Sequence, residues 1–307
     1  MRKHNILKSR IKEVKKKRRR LYAKKILIVF FSFLVLIGTL AYLSRLDRIQ
    51  IKDIILEGNN AISKDEINSL IDDKLSGNYF IFFPKKNILI YPKDKIHDHI
   101  LDQIKRISSL EINLDSQKNL LISVNERKPE YLWCGIQSEE EIVNKDLECY
   151  FMDRESYIFS KAPFFSGSIY FRFLSNIIDD GSTLLTTGHE YLGTNLLDRE
   201  KFYNLVNLKD NLPELGINPK FAYLKDDQET EIYFDNLTLN PSPEGGRGSF
   251  HSKIIFNTDD DIDLLYSNLA AALTTDPLAT QFKNNPENLL YIDLRYDNKV
   301  YYKFQNQ

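Results

Sequence analysis

The sequence predicts a mixed α+β protein with an N-terminal transmembrane helix, a first domain of strands and helices, and a second, β-rich domain. Three observations support this fold class: an uncharged apolar run near the N-terminus, a region where strand and helix patterns alternate, and a longer region of short aromatic strands. About 260 residues follow the apolar run, which is enough for two modest domains with separate cores.

The apolar run at residues 26–44 has no charged side chain. As a helix it would span roughly 28 Å, close to the ~30 Å hydrocarbon thickness of a bilayer. The tail at residues 1–25 holds 13 of the 42 Lys and Arg and 1 of the 43 acids. Lys and Arg residues that flank a membrane helix are retained on the cytoplasmic side. We therefore predict a cytoplasmic basic tail, one membrane-spanning helix in the cytoplasmic (inner) membrane, and residues 46–307 outside it.

Two alternatives compete with this topology. A cleaved secretory signal is disfavoured because the apolar run is long and no small-x-small cleavage site follows it. Nucleic-acid binding by the basic run is disfavoured because such a run beside a membrane helix more often determines topology and contacts anionic lipid. We therefore expect a membrane-embedded protein that binds no nucleic acid.

Residues 49–127 are predicted to form the first domain. Alternating residues 49–57 indicate a strand that ends at Gly58. Ser63 and Glu66 form a capping box at the start of a helix, and Pro92 leads into a second helix with an isoleucine stripe. Two alternating stretches follow, at residues 110–114 and 120–125. The predicted order is strand, helix, helix, strand, strand.

Residues 128–307 are predicted to form a second domain with a mostly antiparallel sheet and flanking helices. The predicted strands are 131–136, 149–153, 168–174, 220–224 and 229–235, with an Asp226-Asp227 turn between the last two. Helical patterns at 198–211 and 259–273 are expected to pack on one face of the sheet. Residues 239–252 are poor in apolar side chains and rich in Pro and Gly, which predicts a flexible insertion.

The search for catalytic or metal-binding groups gives no candidate. His97 and His99 lie two apart on a predicted helix and therefore point to different faces. His189-Glu190 resembles the start of a zinc-protease motif, but position 193 is Gly193 instead of the second histidine. We therefore expect no enzymatic activity, no catalytic residue, no metal, no cofactor and no small-molecule substrate.

The two cysteines, Cys134 and Cys149, are predicted to lie in the two arms of one hairpin on the oxidising side of the membrane. A disulfide between them would stabilise the fold by on the order of 3 kcal/mol. Two buried free thiols are the alternative. The spacing is not CxxC, so catalysis is not indicated.

Four blocks in order, "IKDIILEGNNAISKDEI", "ISVNERKPEYLW", "CYFMDRESYIFS" and "YIDLRYDNKVYYKF", resemble the FtsQ/DivIB family of bacterial cell-division proteins. The resemblance covers essentially the whole chain. It implies that residues 49–127 form a POTRA domain (β-α-α-β-β) and that residues 128–307 form the family's β domain. Ser156 departs from the pattern, since glycine is usual there and the turn could be reshaped. The cysteine pair and the insertion also depart from it.

The resemblance implies a non-enzymatic divisome scaffold at the division septum, which links early and late division proteins and recruits FtsB/FtsL-like partners by β-strand addition. We predict a C-terminal edge strand with Ile292, Leu294 and Tyr296 facing one side and Asp293, Arg295 and Asp297 the other. The alternative function is a POTRA-containing envelope assembly or secretion accessory protein. The predicted partner-binding residues are Arg295, Tyr296, Asp297, Asn298, Lys299, Val300, Tyr301, Tyr302 and Phe304.

Overall fold

The structure, a computed structural model, describes residues 2–143, 147–164, 169–176, 191–225, 229–235, 252–296 and 299–305. The chain divides into two compact units, the first ending at Glu126 and the second beginning at Arg127. Each unit has a sheet and an apolar core. The mixed α+β class, the N-terminal apolar helix and the mostly antiparallel sheet of the second unit are confirmed.

The N-terminal helix α1 runs from Arg2 to Leu43. Its Lys15–Leu43 portion is long and apolar enough to cross a membrane. Apolar side chains such as Phe30 and Leu34 on this portion are exposed, which suits contact with lipid. The predicted 26–44 segment therefore lies in one continuous helix, except for Ser44, which falls in the turn after it.

The first unit continues with a three-stranded sheet and two helices. Its sheet has the order β1-β5-β4, with β1 parallel and β4 antiparallel to β5. A hairpin of two-residue strands, β2 and β3, is too short to show an alternating pattern and was not predicted. The elements are β1 (Ile54–Glu57), α2 (Lys64–Leu75), β2 (Asn78–Tyr79), β3 (Phe83–Pro84), α3 (Lys93–Gln103), β4 (Ile107–Leu114) and β5 (Leu120–Glu126).

The two helices begin where the sequence predicts and cover one side of this sheet with isoleucine and leucine. The Ser63 hydroxyl accepts a hydrogen bond of 3.1 Å from the Glu66 backbone N–H, which caps α2. Apolar residues at helical spacing point into a common core with the sheet. The buried helix residues of this core are Ile67, Ile71, Leu75, Ile96 and Ile100.

The prediction of a first strand over residues 49–57 is wrong at its start. Residues Asp47–Ile49 form a 3-10 helix, and β1 begins only at Ile54. The Ile51 N–H donates to the Lys86 carbonyl at 2.9 Å, and the Ile88 N–H donates to the Ile49 carbonyl at 3.0 Å. The alternating residues before β1 thus pair with the chain after β3 instead of extending the sheet.

The turn after β1 is held by the carboxylate of Glu126, at the end of β5. Its oxygens accept hydrogen bonds from the backbone N–H groups of Asn60 at 2.6 Å, Ala61 at 3.0 Å and Ile62 at 3.1 Å. Burial raises the pKa of Glu126, but these hydrogen bonds outweigh burial, so the pKa lies below its ordinary value of 4.5. The charged carboxylate therefore stabilises the fold.

We expect Glu126→Gln to lower the free energy of unfolding by about 1–2 kcal/mol at neutral pH, because a neutral amide oxygen accepts the backbone hydrogen bonds more weakly than the carboxylate does. Since folding depresses this pKa, the stabilisation is present above the unfolded pKa and is lost as pH falls through the folded pKa. The difference in unfolding free energy between the variant and wild type, measured by urea unfolding, should be smaller at acidic pH than at neutral pH. Glu111→Gln, at an exposed position of β4, is the control. If the difference in unfolding free energy between Glu126→Gln and wild type did not change with pH, the assignment would be contradicted.

Among the described residues, the second unit forms one nine-stranded sheet in the order β14-β13-β12-β11-β10-β9-β6-β7-β8. Pairings β12–β13, β10–β9 and β6–β9 are parallel, and the others are antiparallel. The elements are β6 (Tyr131–Ile136), β7 (Cys149–Met152), β8 (Ile158–Lys161), β9 (Phe171–Asn176), α4 (Arg199–Asn211), β10 (Asn218–Leu224), β11 (Glu229–Asp235), β12 (Ser252–Asn257), α5 (Ile262–Thr274), α6 (Leu278–Asn284), β13 (Leu289–Tyr296) and β14 (Lys299–Phe304).

Helices α4, α5 and α6 contribute to one apolar core with the sheet. Asp198 caps α4 and Asp261 caps α5. Each carboxylate accepts hydrogen bonds from two backbone N–H groups at the start of its helix. Phe202 of α4 and Leu265 of α5 belong to the same buried cluster as Trp133 of β6. The prediction that the two longer helices pack on one face is consistent with this shared core. A smaller apolar cluster includes Leu132, Cys134, Ile136, Phe151, Leu174 and Tyr223.

Several predicted boundaries in the second unit shift. Strand β9 occupies Phe171–Asn176 instead of 168–174. The predicted insertion ends too late, because Ser252 is buried and begins β12. Residues 239–251 of that insertion and the predicted Asp226-Asp227 turn lie outside the described residues.

The turn at Ser156 has a left-handed residue that is not glycine. Ser156 adopts φ +67°, the left-handed conformation that glycine adopts most easily. Its hydroxyl donates to the Leu197 carbonyl at 2.7 Å, and the residue is buried. A buried side-chain hydrogen bond thus accompanies the unfavourable backbone conformation.

Candidate functional site

The candidate site is the C-terminal hairpin formed by β13 and β14. Strand β14 lies at one end of the nine-stranded sheet and, among the described residues, pairs only with β13. Of the predicted partner-binding residues, β14 contains Lys299, Val300, Tyr301, Tyr302 and Phe304. Asp297 and Asn298 lie outside the described residues.

Arg295 and Tyr296 do not belong to the edge strand, contrary to the prediction of one continuous edge. They end β13, which lies between β12 and β14. The chain reverses after Tyr296, and Tyr296 pairs with Lys299 across the hairpin. The open edge is therefore shorter than predicted and begins at Lys299.

The backbone of β14 offers hydrogen-bonding groups at alternate residues. The Gln305 N–H donates at 2.8 Å to the Asn288 carbonyl, just before β13. Because backbone groups reverse direction at each residue of a strand, Tyr301 and Lys303 also point theirs toward β13. Val300 and Tyr302 consequently point their N–H and C=O groups away from the sheet, toward the open edge.

A bulge in β13 changes which side Tyr296 faces. Ile292 pairs with Tyr302 and Asp293 with Tyr301, but the register shifts between Asp293 and Tyr296. Tyr296 therefore lies on the same side as Tyr301, and its ring contacts the Tyr301 ring at 5.2 Å between centroids. The predicted grouping of Tyr296 with Ile292 and Leu294 is wrong because one extra residue reverses the alternation.

The side chains of β14 divide into a buried set and an exposed set. Phe304 is buried in the main core, and Val300 and Tyr302 pack against that core while remaining partly exposed. On the opposite side, Tyr301 is 49% exposed and its neighbour Tyr296 is 52% exposed. Phe304 thus serves the core, whereas the Tyr296–Tyr301 pair is available at the surface.

Lys303 was missed by sequence reasoning, although the alternation of β14 would have placed it beside Tyr301 and Lys299. The burial of β14 alternates regularly, and Lys299, Tyr301 and Lys303 form its exposed row. This row carries two positive charges around an aromatic ring. An added strand would meet that row directly.

Arg295 supports the hairpin through ion pairs inside the sheet. Its guanidinium donates to both carboxylate oxygens of Asp293, at 2.9 and 2.6 Å, and also contacts Glu229 of β11. Burial raises the pKa of Asp293, but the hydrogen bonds from Arg295 outweigh burial and leave that pKa below its ordinary value. The hydrogen bonds to Asp293 raise the pKa of Arg295. Arg295 is thus a positioning residue that ties β13 to β11.

The opposite edge of the sheet is covered where β8 begins. The Ile158 N–H of β8 donates to the Thr194 carbonyl at 2.9 Å, and the Gly193 N–H donates to the Ile158 carbonyl at 2.8 Å. The Leu196 N–H donates to the Ser156 carbonyl at 2.9 Å just before β8. The chain therefore covers the start of β8, whereas no described segment covers β14.

The two cysteines lie opposite each other in β6 and β7. Their sulfur atoms are joined, with an Sγ–Sγ distance of 2.00 Å, and their Cα atoms are 4.2 Å apart. Cys134 is buried in the smaller apolar cluster of the second unit. The bond links the strands next to the covered edge of the sheet, remote in strand order from β14.

No group of three or more His, Cys, Asp or Glu side chains among the described residues could hold a metal ion. His97 and His99 lie on α3, as predicted. The His97 ring lies 3.0 Å from the Asp98 carboxylate, and the His99 ring lies 4.0 Å from the Asp73 carboxylate. His189 lies outside the described residues.

Comparison of the chain with protein-family models and with curated protein sequences gave no match.

Proposed function

We propose that this protein is a single-pass, non-enzymatic divisome scaffold that recruits an FtsB/FtsL-like partner by β-strand addition to β14. The observation that carries the proposal is the contrast between the two ends of the nine-stranded sheet: the chain covers the start of β8 and leaves β14 with one described neighbour. Uncovered edges invite pairing with another chain, so proteins normally protect them. A strand supplied by a partner would complete this edge.

The proposed membrane topology of the chain follows from its N-terminal charges. The basic tail remains in the cytoplasm, α1 crosses the cytoplasmic membrane, and both folded units lie outside. We propose that the first unit is a POTRA domain, which is supported by its element order of strand, helix, short β2–β3 hairpin, helix, strand and strand. The resemblance to the FtsQ/DivIB family supports both this domain identity and location at the division septum.

The side chains of β14 limit the kind of strand that it binds. An added antiparallel or parallel strand would place alternate residues beside the exposed row of Lys299, Tyr301 and Lys303. Opposite charges and aromatic contacts favour cross-strand pairs. We therefore expect the partner strand to carry acidic residues that flank an apolar or aromatic residue on that side.

Tyr302→Pro tests strand addition directly. Proline removes the N–H that points toward the open edge but no hydrogen bond to β13, so the sheet should survive. We expect capture of co-expressed FtsB-like and FtsL-like proteins by the full-length chain to fall at least about tenfold, equivalent to ~1.4 kcal/mol. Affinity capture from detergent extracts, followed by quantitative immunoblotting, measures this.

Tyr302→Val is the matched control, because it shortens the same side chain and retains the N–H. Thermal unfolding of both variants checks that the second unit remains folded. Equal capture by the Pro and Val variants would reject strand addition at β14. A fluorescent fusion of the wild-type chain should concentrate at mid-cell during constriction, and a uniform envelope signal would reject the septal assignment.

A further inference from the structure

Five apolar side chains in the first unit project from two neighbouring loops. Phe80 is 87% exposed and Ile81 is 77% exposed at the tip of the β2–β3 hairpin, next to the half-exposed Phe82. Leu89, at 78% exposure, and Ile90 form the second loop. Exposed apolar side chains that cluster in this way mark an interaction surface.

The hairpin tip holds its apolar residues in an unfavourable backbone conformation. Phe80 has φ +46° and Ile81 has φ +72°, and the Phe82 N–H donates to the Tyr79 carbonyl at 3.2 Å. Two successive residues with positive φ between hydrogen-bonded ends form a type I′ turn, which favours Asn-Gly. A β-branched residue is especially unsuited to positive φ. Water does not favour such exposed apolar side chains, and the turn geometry does not favour these residue types. The isolated chain therefore gives no reason for Phe80 and Ile81 at the tip.

The two loops flank a segment that is bonded to the end of α1. The Asn87 side-chain amide donates to the Ser44 hydroxyl at 2.8 Å and to the Ser44 carbonyl at 3.2 Å, and both residues are buried. Ser44 directly follows the last residue of α1. Leu89 is two residues beyond Asn87, so roughly 7 Å of chain at most separates it from this junction. The second loop is thus held close to the end of the helix, and the hairpin tip ends five residues before Asn87, which allows at most about 18 Å of chain between them.

We infer that the Phe80–Phe82 tip and the Leu89–Ile90 loop insert into the interfacial region of the lipid bilayer at which α1 ends. The inference requires that α1 crosses the membrane and is independent of partner binding at β14. Apolar side chains gain stability by burial at the boundary between headgroups and acyl chains. Lys85 and Lys86, between the loops, and Arg45 and Arg48, just after α1, suit contact with lipid phosphate groups.

The location of the loops favours lipid over protein as the contact of their apolar side chains. The Leu89–Ile90 loop adjoins the end of a helix that is long and apolar enough to cross a membrane, and basic residues accompany both loops. Insertion would hold the first unit against the membrane surface at points other than α1. It would thereby restrict rotation of that unit about the helix end.

Phe80→Trp tests the insertion in the full-length protein reconstituted into phosphatidylcholine vesicles. The chain has one tryptophan, the buried Trp133, whose emission in the unmodified protein is subtracted. We expect the emission of the introduced tryptophan to be blue-shifted and to be quenched by lipids with brominated acyl chains. Tyr203→Trp, at a 64% exposed site on α4, is the solvent-exposed control and should show neither effect.

Each other outcome contradicts the inference. Emission like that of the Tyr203→Trp control would show that the tip is in water. A blue shift without quenching by brominated lipid would indicate a protein occupant, either a partner or a second copy of the chain. Equal quenching of both variants would show that the lipid effect is not selective for the loop.

A second variant separates insertion from folding. The double substitution F80N/I81G removes the apolar tip and supplies the residues that a type I′ turn favours, so its unfolding transition should not fall below that of wild type. Leu89→Trp in the second loop should lose part of its quenching by brominated lipid when combined with F80N/I81G. Unchanged quenching of the tryptophan introduced into the second loop would contradict joint insertion of the two loops.

Discussion

Gly58→Ala is expected to destabilise the first unit by about 3 kcal/mol or more, from left-handed backbone strain and from overpacking. Gly58 has φ +82°, and a Cβ atom there would lie 2.2 Å from the Val124 carbonyl oxygen of β5. Since the obstructing atom belongs to the backbone of a central strand, it cannot move without disturbing the pairing of β1 with β5. Hydrogen exchange of amides in β1 and β5 would measure the loss.

Gly77→Ala is the matched control for this prediction. Gly77 has the same φ of +82°, but no atom lies within 4 Å of its added Cβ. It should therefore show only the cost of the left-handed conformation, about 1–2 kcal/mol. Equal loss of amide protection in the two variants would mean that the close approach of β5 contributes nothing.

Phe202→Ala is expected to lower the stability of the second unit by about 3–5 kcal/mol, because it leaves a large cavity in a packed core. Phe202 lies on α4 with no exposed surface. Its ring contacts Phe173 of β9 at 5.2 Å and Tyr131 of β6 at 5.6 Å between centroids. The substitution therefore removes ring contacts that join α4 to β6 and β9.

Urea unfolding followed by the fluorescence of Trp133 measures this effect, since Trp133 is buried in the same cluster. Tyr203→Ala, at the next residue of α4, is the control because its side chain is largely exposed. We expect the control to change stability by no more than about 0.5 kcal/mol. A similar shift in the two variants would contradict the packing role of Phe202.

The local elements of the first unit could be predicted because their signals are local. The Ser63 cap, the isoleucine stripe and the turn at Gly58 lie within or next to the elements that they define. The true start of β1 could not be predicted. Residues 49–51 alternate as a strand does, but their backbone pairs with residues 86–88, more than thirty positions away.

The candidate site was only partly predictable for the same reason. Alternation predicted the strand that contains Tyr301 and Tyr302, but the bulge that moves Tyr296 to the side of Tyr301 depends on pairing across the hairpin. Arg295 was expected to contact a partner, whereas its guanidinium pairs with Asp293 and Glu229. Glu229 is distant in sequence, so no pattern near Arg295 indicates that contact.

The sequence by itself determined the apolar N-terminal helix, the α+β class and the approximate positions of most helices and strands, because hydrophobic periodicity, caps and turn residues act over a few positions. Only the tertiary structure decided that the chain covers the start of β8 while β14 has one neighbour among the described residues, and that the Leu89–Ile90 loop lies beside the end of α1. These features depend on hydrogen bonds between segments far apart in the chain, whose pairing no local pattern specifies.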